Sequence, residues 1–192
     1  MTEDTISKLP EVLTDYMATL KRTSKDETNA EFMTESTLRV VHFDKLPQVY
    51  ARGKGWRAVP KSNDALYVDG DKWFFIEFKN GTIKRDDIYR KIYDSLIMLI
   101  ELGAITGYQF SRDNIDYILV YNSDKYSKCQ ESASREKNFS YIMSLAQKEE
   151  KLFDLELLEG YLFHEVHTYT KEMFQEKFVS VMEGKEYGSK DK

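Results

Sequence analysis

Apolar positions change their period several times along this chain of 192 residues. Over residues 5–21, Ile6, Leu9, Leu13, Met17 and Leu20 recur every three or four positions. That period predicts an amphipathic helix, with Pro10 early enough to be tolerated. The polar run 21–31 reads as a loop and residues 30–41 as a second helix. A segment broken by Pro47 comes next, and Gly53-Lys54-Gly55 reads as a turn. From Trp56 to Lys79 the pattern becomes that of strands. Two runs rich in Tyr, Val, Trp, Phe and Ile, NDALYVDG and DKWFFIEFK, are joined by Asp69-Gly70, a short-range hairpin signal.

Asn80-Gly81 closes the second strand, and Asp86 and Asp87 lie in the first turn of the next helix. Ile88, Ile92, Leu96 and Leu99/Ile100 form the stripe of that helix, which Gly103 stops. Residues 115–122, IDYILVYN, are apolar almost without interruption, which suits a central or parallel strand buried on both faces. A polar loop or insertion (123–138), a helix (139–152), an alternating strand (161–170) and a helix over 171–183 capped by Thr170 complete the reading. The fold class expected is α/β or α+β, a mixed sheet flanked by helices on both faces. A single domain is expected over 1–184, with a helical extension at 1–29, a core at about 30–183 and a disordered tail at 185–192.

Composition narrows the setting. A hydrophobic fraction of 41% with 14% aromatics supports a packed core. The lone Cys129 forms no intramolecular disulfide, so nothing requires an oxidising compartment. The first residues lack a basic region followed by an apolar run, and the longest apolar stretch is interrupted by Asp94 and Glu101. A soluble cytoplasmic protein without a membrane partner is expected. Net charge is −5, whereas a protein that coats nucleic acid through phosphates carries a basic stripe. The balance disfavours a simple coat or repressor. It leaves room for an enzyme with a local basic patch.

The hairpin carries the chemistry. If Asp69-Gly70 is a two-residue loop, Val68 pairs with Asp71 and Asp64 lies opposite Phe75. Side chains alternate along a strand, so Phe75, Glu77 and Lys79 share the face of Asp64. Asp64 and Glu77 become diagonal neighbours, about 7–8 Å apart along the backbone. One divalent ion spans that gap, and hard cations such as Mg²⁺ bind through one or two carboxylates plus water and phosphate. A lysine on the same face can orient the attacking water or offset developing charge.

Asp64, a hairpin-length gap, and then Glu77-Phe78-Lys79 at the end of an apolar strand that leads into a helix resemble the PD-(D/E)xK nuclease superfamily. That group includes restriction endonucleases and repair nucleases. Its core is a small mixed sheet between helices, with Asp on one strand and (D/E)-x-K on the next. The likeness covers about residues 30–122. It implies a restriction-endonuclease-like core and a Mg²⁺-dependent nuclease, with Mn²⁺ as substitute. Asp64 and Glu77 would be metal ligands, joined by the Phe78 backbone carbonyl, and Lys79 would activate water. A Glu on the preceding helix often joins them, for which Glu35 and Glu31 are the candidates. Lys84, Arg85, Arg90 and Lys91, with Tyr89 and Tyr93 interleaved, would contact nucleic acid, DNA ahead of RNA. The chain departs from the pattern at Asn63, where the name-giving motif has Pro.

Plainer readings stand beside these. Glu77 and Lys79 also suit a solvated strand end. His164 and His167, three apart on an expected strand, point to opposite faces and read as ordinary histidines; His42 has no nameable partner. Asp69 and Asp71 read as turn residues, and Cys129 lies in a polar loop without a catalytic context. The function alternative is a catalytically inactive nuclease-like fold that serves as a binding or immunity-type protein in a bacterial conflict system. That reading leaves a protein partner and the oligomeric state open.

Overall fold

Glu77 belongs to a sheet whose strands pair in chain order, and the computed structural model describes residues 1–125 and 151–188 of this chain. It starts with α1 (Glu3–Ser7), α2 (Glu11–Thr14), β1 (Met17–Thr19) and α3 (Leu20–Thr23). A small hairpin of β2 (Lys25–Asp26) and β3 (Glu31–Phe32) precedes β4 (Arg39–His42) and α4 (Leu46–Gly53). Then come β5 (Ala65–Asp69), β6 (Lys72–Lys79), α5 (Arg85–Glu101), α6 (Tyr108–Asn114), β7 (Ile115–Tyr121) and β8 (Val166–Thr170). The chain ends in a C-terminal helix of segments Lys171–Phe174, Gln175–Val179 and Ser180–Gly188, the middle one a π-turn. The expectations for Cys129, for most of 123–138 and for the helix 139–152 lie outside the described residues.

The main sheet runs β1-β4-β5-β6-β7-β8, antiparallel as far as β6 and parallel from there on. The chain is therefore mixed α/β. All seven residues of β7 are buried, and it is parallel to both neighbours, as its apolar run predicts. Its two faces are covered by different helices. On one, Phe75 and Tyr117 pack around Phe163 with ring centroids 6.3 and 5.3 Å away, and Lys91 of α5 reaches Glu77. On the other, Tyr67, Phe74 and Phe78 meet Phe174 and Phe178 of the C-terminal helix at 5.2–5.7 Å.

Several expectations are corrected. The helix predicted over 5–21 is split, because Pro10 sits at the N-cap of α2 and Met17–Thr19 pairs with β4 as an edge strand. Its stripe still faces inward, with Ile6, Leu13 and Leu20 in the common core, so residues 1–29 pack into the domain. The helix expected over 30–41 is replaced by β3 and β4, where the stiff pair Val40-Val41 is buried within the sheet. Pro47 occupies the first turn of α4, where its missing N–H costs nothing, and so begins a helix. The short α6 helix has no counterpart in the sequence pattern. The strand expected from residue 161 begins only at Val166, after a turn closed by Gly160 N–H donating to the Phe163 carbonyl.

Thr170 does cap the last helix, its Oγ1 accepting from the Met173 N–H at 3.3 Å. That helix continues past the expected start of the tail. Lys185 pairs with Asp69 at 2.7 Å, and Glu186 holds the N-terminal amine. Among the described residues no helix is long and apolar enough to cross a membrane.

Leu66, fully buried on β5 opposite Phe75, tests whether the hairpin is core rather than appendage. Leu66→Ala is expected to cost about 2–5 kcal/mol in urea unfolding. Val181→Ala on the exposed side of the last helix should stay within about 0.5 kcal/mol.

Candidate functional site

The hairpin turns one position later than the sequence pattern suggests. Gly70 and Asp71 form the loop, with Asp69 paired to Lys72 and Val68 to Trp73. Gly70 has φ +61°, which suits the glycine-first type II′ loop. Pairing thus slips by two residues relative to the expected register. An even slip keeps every side chain on its face, whereas an odd one would have reversed them. Extending the observed register by one residue brings Asp64 directly opposite Glu77 instead of diagonal to it. Asp64 Oδ2 then accepts from the Phe78 N–H at 2.7 Å.

Two ammonium groups fill the space between and beside these carboxylates. Lys91 Nζ lies 3.1 Å from Asp64 Oδ1 and 2.7 and 3.0 Å from the Glu77 oxygens. Lys79 Nζ lies 2.7 Å from Glu77 Oε1. Glu77 is wholly buried. Burial, and after it the negative charge of Asp64, pushes its carboxyl up to about 7, with the two lysines opposing the rise. Lys91 is itself mostly buried, which disfavours its charge. The two carboxylates outweigh that and raise its pKa.

The α5 helix supplies more than Lys91. Ser95 Oγ accepts from the Asn63 N–H at 3.0 Å and Asp94 Oδ2 from the Lys61 N–H at 2.9 Å, which pins the entrance of β5 to the helix. On the other side of Asp64 stands Asp44, in the 3₁₀ turn Phe43–Lys45. Its carboxylate accepts from Ser62 Oγ at 2.7 Å. Its pKa is raised by burial first and by Asp64 second.

Above the carboxylates opens a cleft of about 770 Å³. Asp64, Asp44, Lys79 and Lys91 reach it, and Arg22, Lys25, Lys45 and Lys61 from four separate segments line its walls. Spacing along the chain gives no sign of those four or of Asp44, because pairings between distant strands, β4 with β5 among them, bring their segments together.

The remaining sequence candidates lie elsewhere. Glu35 is exposed and pairs with Lys21 at 2.6 Å, and Glu31 accepts from Asn80 Nδ2 at 2.9 Å. Arg85 pairs with Asp154 at 3.1 Å and covers the Tyr89 ring at 4.8 Å. Arg90 faces Asp94 at 3.6 Å, and Lys84 is the N-cap residue of α5. Lys91 is thus the member of that basic run whose ammonium meets the carboxylate pair. No family model, curated protein or solved structure matches the chain.

Removing Lys91 leaves two facing carboxylates without their shared cation. Lys91→Met is expected to destabilise the fold by about 3–5 kcal/mol in urea denaturation at neutral pH. Adding Glu77→Gln to that variant should recover part of the loss. A Lys91→Met cost no larger than that of an exposed pair, about 0–1 kcal/mol, would show that the carboxylates do not need it.

Proposed function

We propose that the chain is a metal-dependent phosphodiesterase of the PD-(D/E)xK type, with nucleic acid as its substrate class. The observation that carries this reading is the meeting of Asp64, Lys79 and Lys91 at the floor of a cleft, with the buried Glu77 bonded to both ammoniums just beneath it. A restriction-endonuclease-like core agrees with the mixed sheet between helices, with Asp64 entering one hairpin strand and Glu77 and Lys79 ending the next.

The donor set suits a hard divalent cation. Asp64 and Glu77 share one ammonium, whereas Asp44 does not come within ligand reach of both to make a three-carboxylate set among the described residues. Asp64 and Glu77 would hold Mg²⁺ or Mn²⁺. Bound there, the ion would acidify water and offset charge on the phosphoryl group. Lys91 contacts the same oxygens that such an ion would take, so a bound ion would have to displace its ammonium.

The chain's own groups supply positioning and charge. Lys79 extends from the end of β6 into the cleft, where its ammonium can hold an attacking water or stabilise a developing oxyanion. Arg22, Lys25, Lys45 and Lys61 offer charge-assisted contacts to successive phosphates. Lys25 and Lys61 already pair with Glu27 and Asp87, and Asp26 and Glu27 line the same cleft, so its charge is mixed.

A second reading is a binding module without catalysis. Lys91 favours it, since an internal ammonium that already satisfies both carboxylates is what a retired metal site would contain.

Cleavage of single- and double-stranded DNA and of RNA, with Mg²⁺ or Mn²⁺, separates the two. The wild type should cut at least one substrate, and Glu77→Gln or Lys79→Met should lose about 10²-fold or more of the rate. Equal rates in wild type and variants would sink the enzyme reading. Nucleic-acid binding that survives without cleavage would favour the binding module.

A further inference from the structure

At the other end of the parallel strands, on the opposite face of the sheet, two histidines and two carboxylates converge. In the β7–β8 register Tyr117 pairs with Val166 and Ile118 with His167. Glu165 precedes β8 and lies next to Asp116, its N–H donating to Asp116 Oδ1 at 3.2 Å while its carbonyl accepts from the Tyr117 N–H at 2.9 Å. Alternation puts Asp116, Glu165 and His167 on one face, whereas Glu77 and Lys79 are on the other. The two sites share no residue.

His164 is the residue that the strand pattern misassigns. Because β8 begins at Val166, His164 escapes the alternation that would turn it away, and its ring swings onto Asp116.

We infer that Asp116, His164, Glu165 and His167 form a second metal site, one that takes a borderline transition ion such as Zn²⁺. Its geometry is close to what such an ion needs. His164 Nδ1 lies 3.0 Å from Asp116 Oδ1 and 4.0 Å from Glu165 Oε1, and His167 Nε2 lies 3.3 Å from Glu165 Oε2. Donor atoms of Asp116, Glu165 and His167 all fall within 4.8 Å of one another. Ligand bonds of about 2.0–2.2 Å in a tetrahedron put donors about 3.3–3.6 Å apart, so Asp116, Glu165 and His167 lie near that spacing and His164, outside their mutual set, would join by turning its ring.

The chemistry of the donors selects the ion. Imidazole nitrogen with carboxylate oxygen suits Zn²⁺ and its first-row neighbours, whereas Mg²⁺ and Ca²⁺ call for oxygen ligands. Neither Asp116 nor Glu165 pairs with a lysine or arginine among the described residues. A divalent cation held by the imidazoles and carboxylates would supply positive charge there. The supporting groups are in place as well. The Glu165 backbone orients the buried Asp116 carboxylate, and the His167 ring stacks on Tyr169 with centroids 5.1 Å apart. Such outer contacts fix ligand orientation in metal sites.

The test is a titration of the full chain, stripped with chelator, with Co²⁺ as a visible probe and Zn²⁺ as competitor. The expected result is the strong visible absorption of tetrahedral cobalt, displaced by Zn²⁺ and not by Mg²⁺. It should vanish in the double variant His164→Gln/His167→Gln and persist in Asp64→Asn/Glu77→Gln. Glu165→Gln, a substitution at an exposed position that spares the fold, should weaken Zn²⁺ about tenfold or more. Absence of a tetrahedral cobalt spectrum in wild type would overturn the inference. So would a spectrum that survives the histidine variant, or one that disappears only with Asp64 and Glu77.

Discussion

A carboxylate with no access to water must find its counter-charge inside the protein, and Glu77 finds it in Lys91 and Lys79. That constraint organises the centre of the molecule. It requires α5 to lie across the sheet so that Lys91 can reach down between two strands. It requires the hairpin to hold a register that sets Asp64 opposite Glu77. The backbone bonds from Lys61 and Asn63 to Asp94 and Ser95 secure both at once, because they tie the entrance of β5 to the helix that carries the lysine. Removing one charge from such a cluster costs more than the cluster contributes when intact.

The same arrangement gives a chemical reason for its own presence. Apolar side chains of similar size would fill this space with less desolvation, yet Asp44, Asp64, Lys79 and Lys91 reach the cleft floor and the buried Glu77 lies beneath it. Polar groups held at a cost to stability beside a cleft mark it as a candidate functional site, which is what the proposed reading builds on. With its ammonium between the carboxylates, Lys91 offsets the negative charge of Asp64 and Glu77.

How much of this the residues announced depended on the range of the signal. The hairpin, α5 with its Gly103 stop, the buried strand β7 and the Thr170 cap were legible because each is written in adjacent residues. The short strands β1 and β4 were not, since the three residues of edge strand β1 have no period of their own, with Leu13 and Leu20 satisfying a helical spacing equally well, and the four residues of β4 are too few to show alternation. In the site, Asp64, Glu77 and Lys79 could be put on one face from parity, even with the loop misplaced by one position, because the register error was even. Asp44 and the basic walls depend on pairings between distant segments. Lys91 was visible as part of a basic run, but its inward aim comes from the way α5 crosses the sheet.

Competition between Lys91 and a divalent ion for the oxygens of Asp64 and Glu77 is the most direct handle on the central claim. Calorimetric titration of Mn²⁺ into wild type, Lys91→Met and Asp64→Asn would measure it. Binding should be tighter in Lys91→Met than in wild type and lost in Asp64→Asn. Affinity that ignores both substitutions, or the absence of Mn²⁺ binding even after Lys91 is removed from a folded variant, would contradict a metal site at this carboxylate pair.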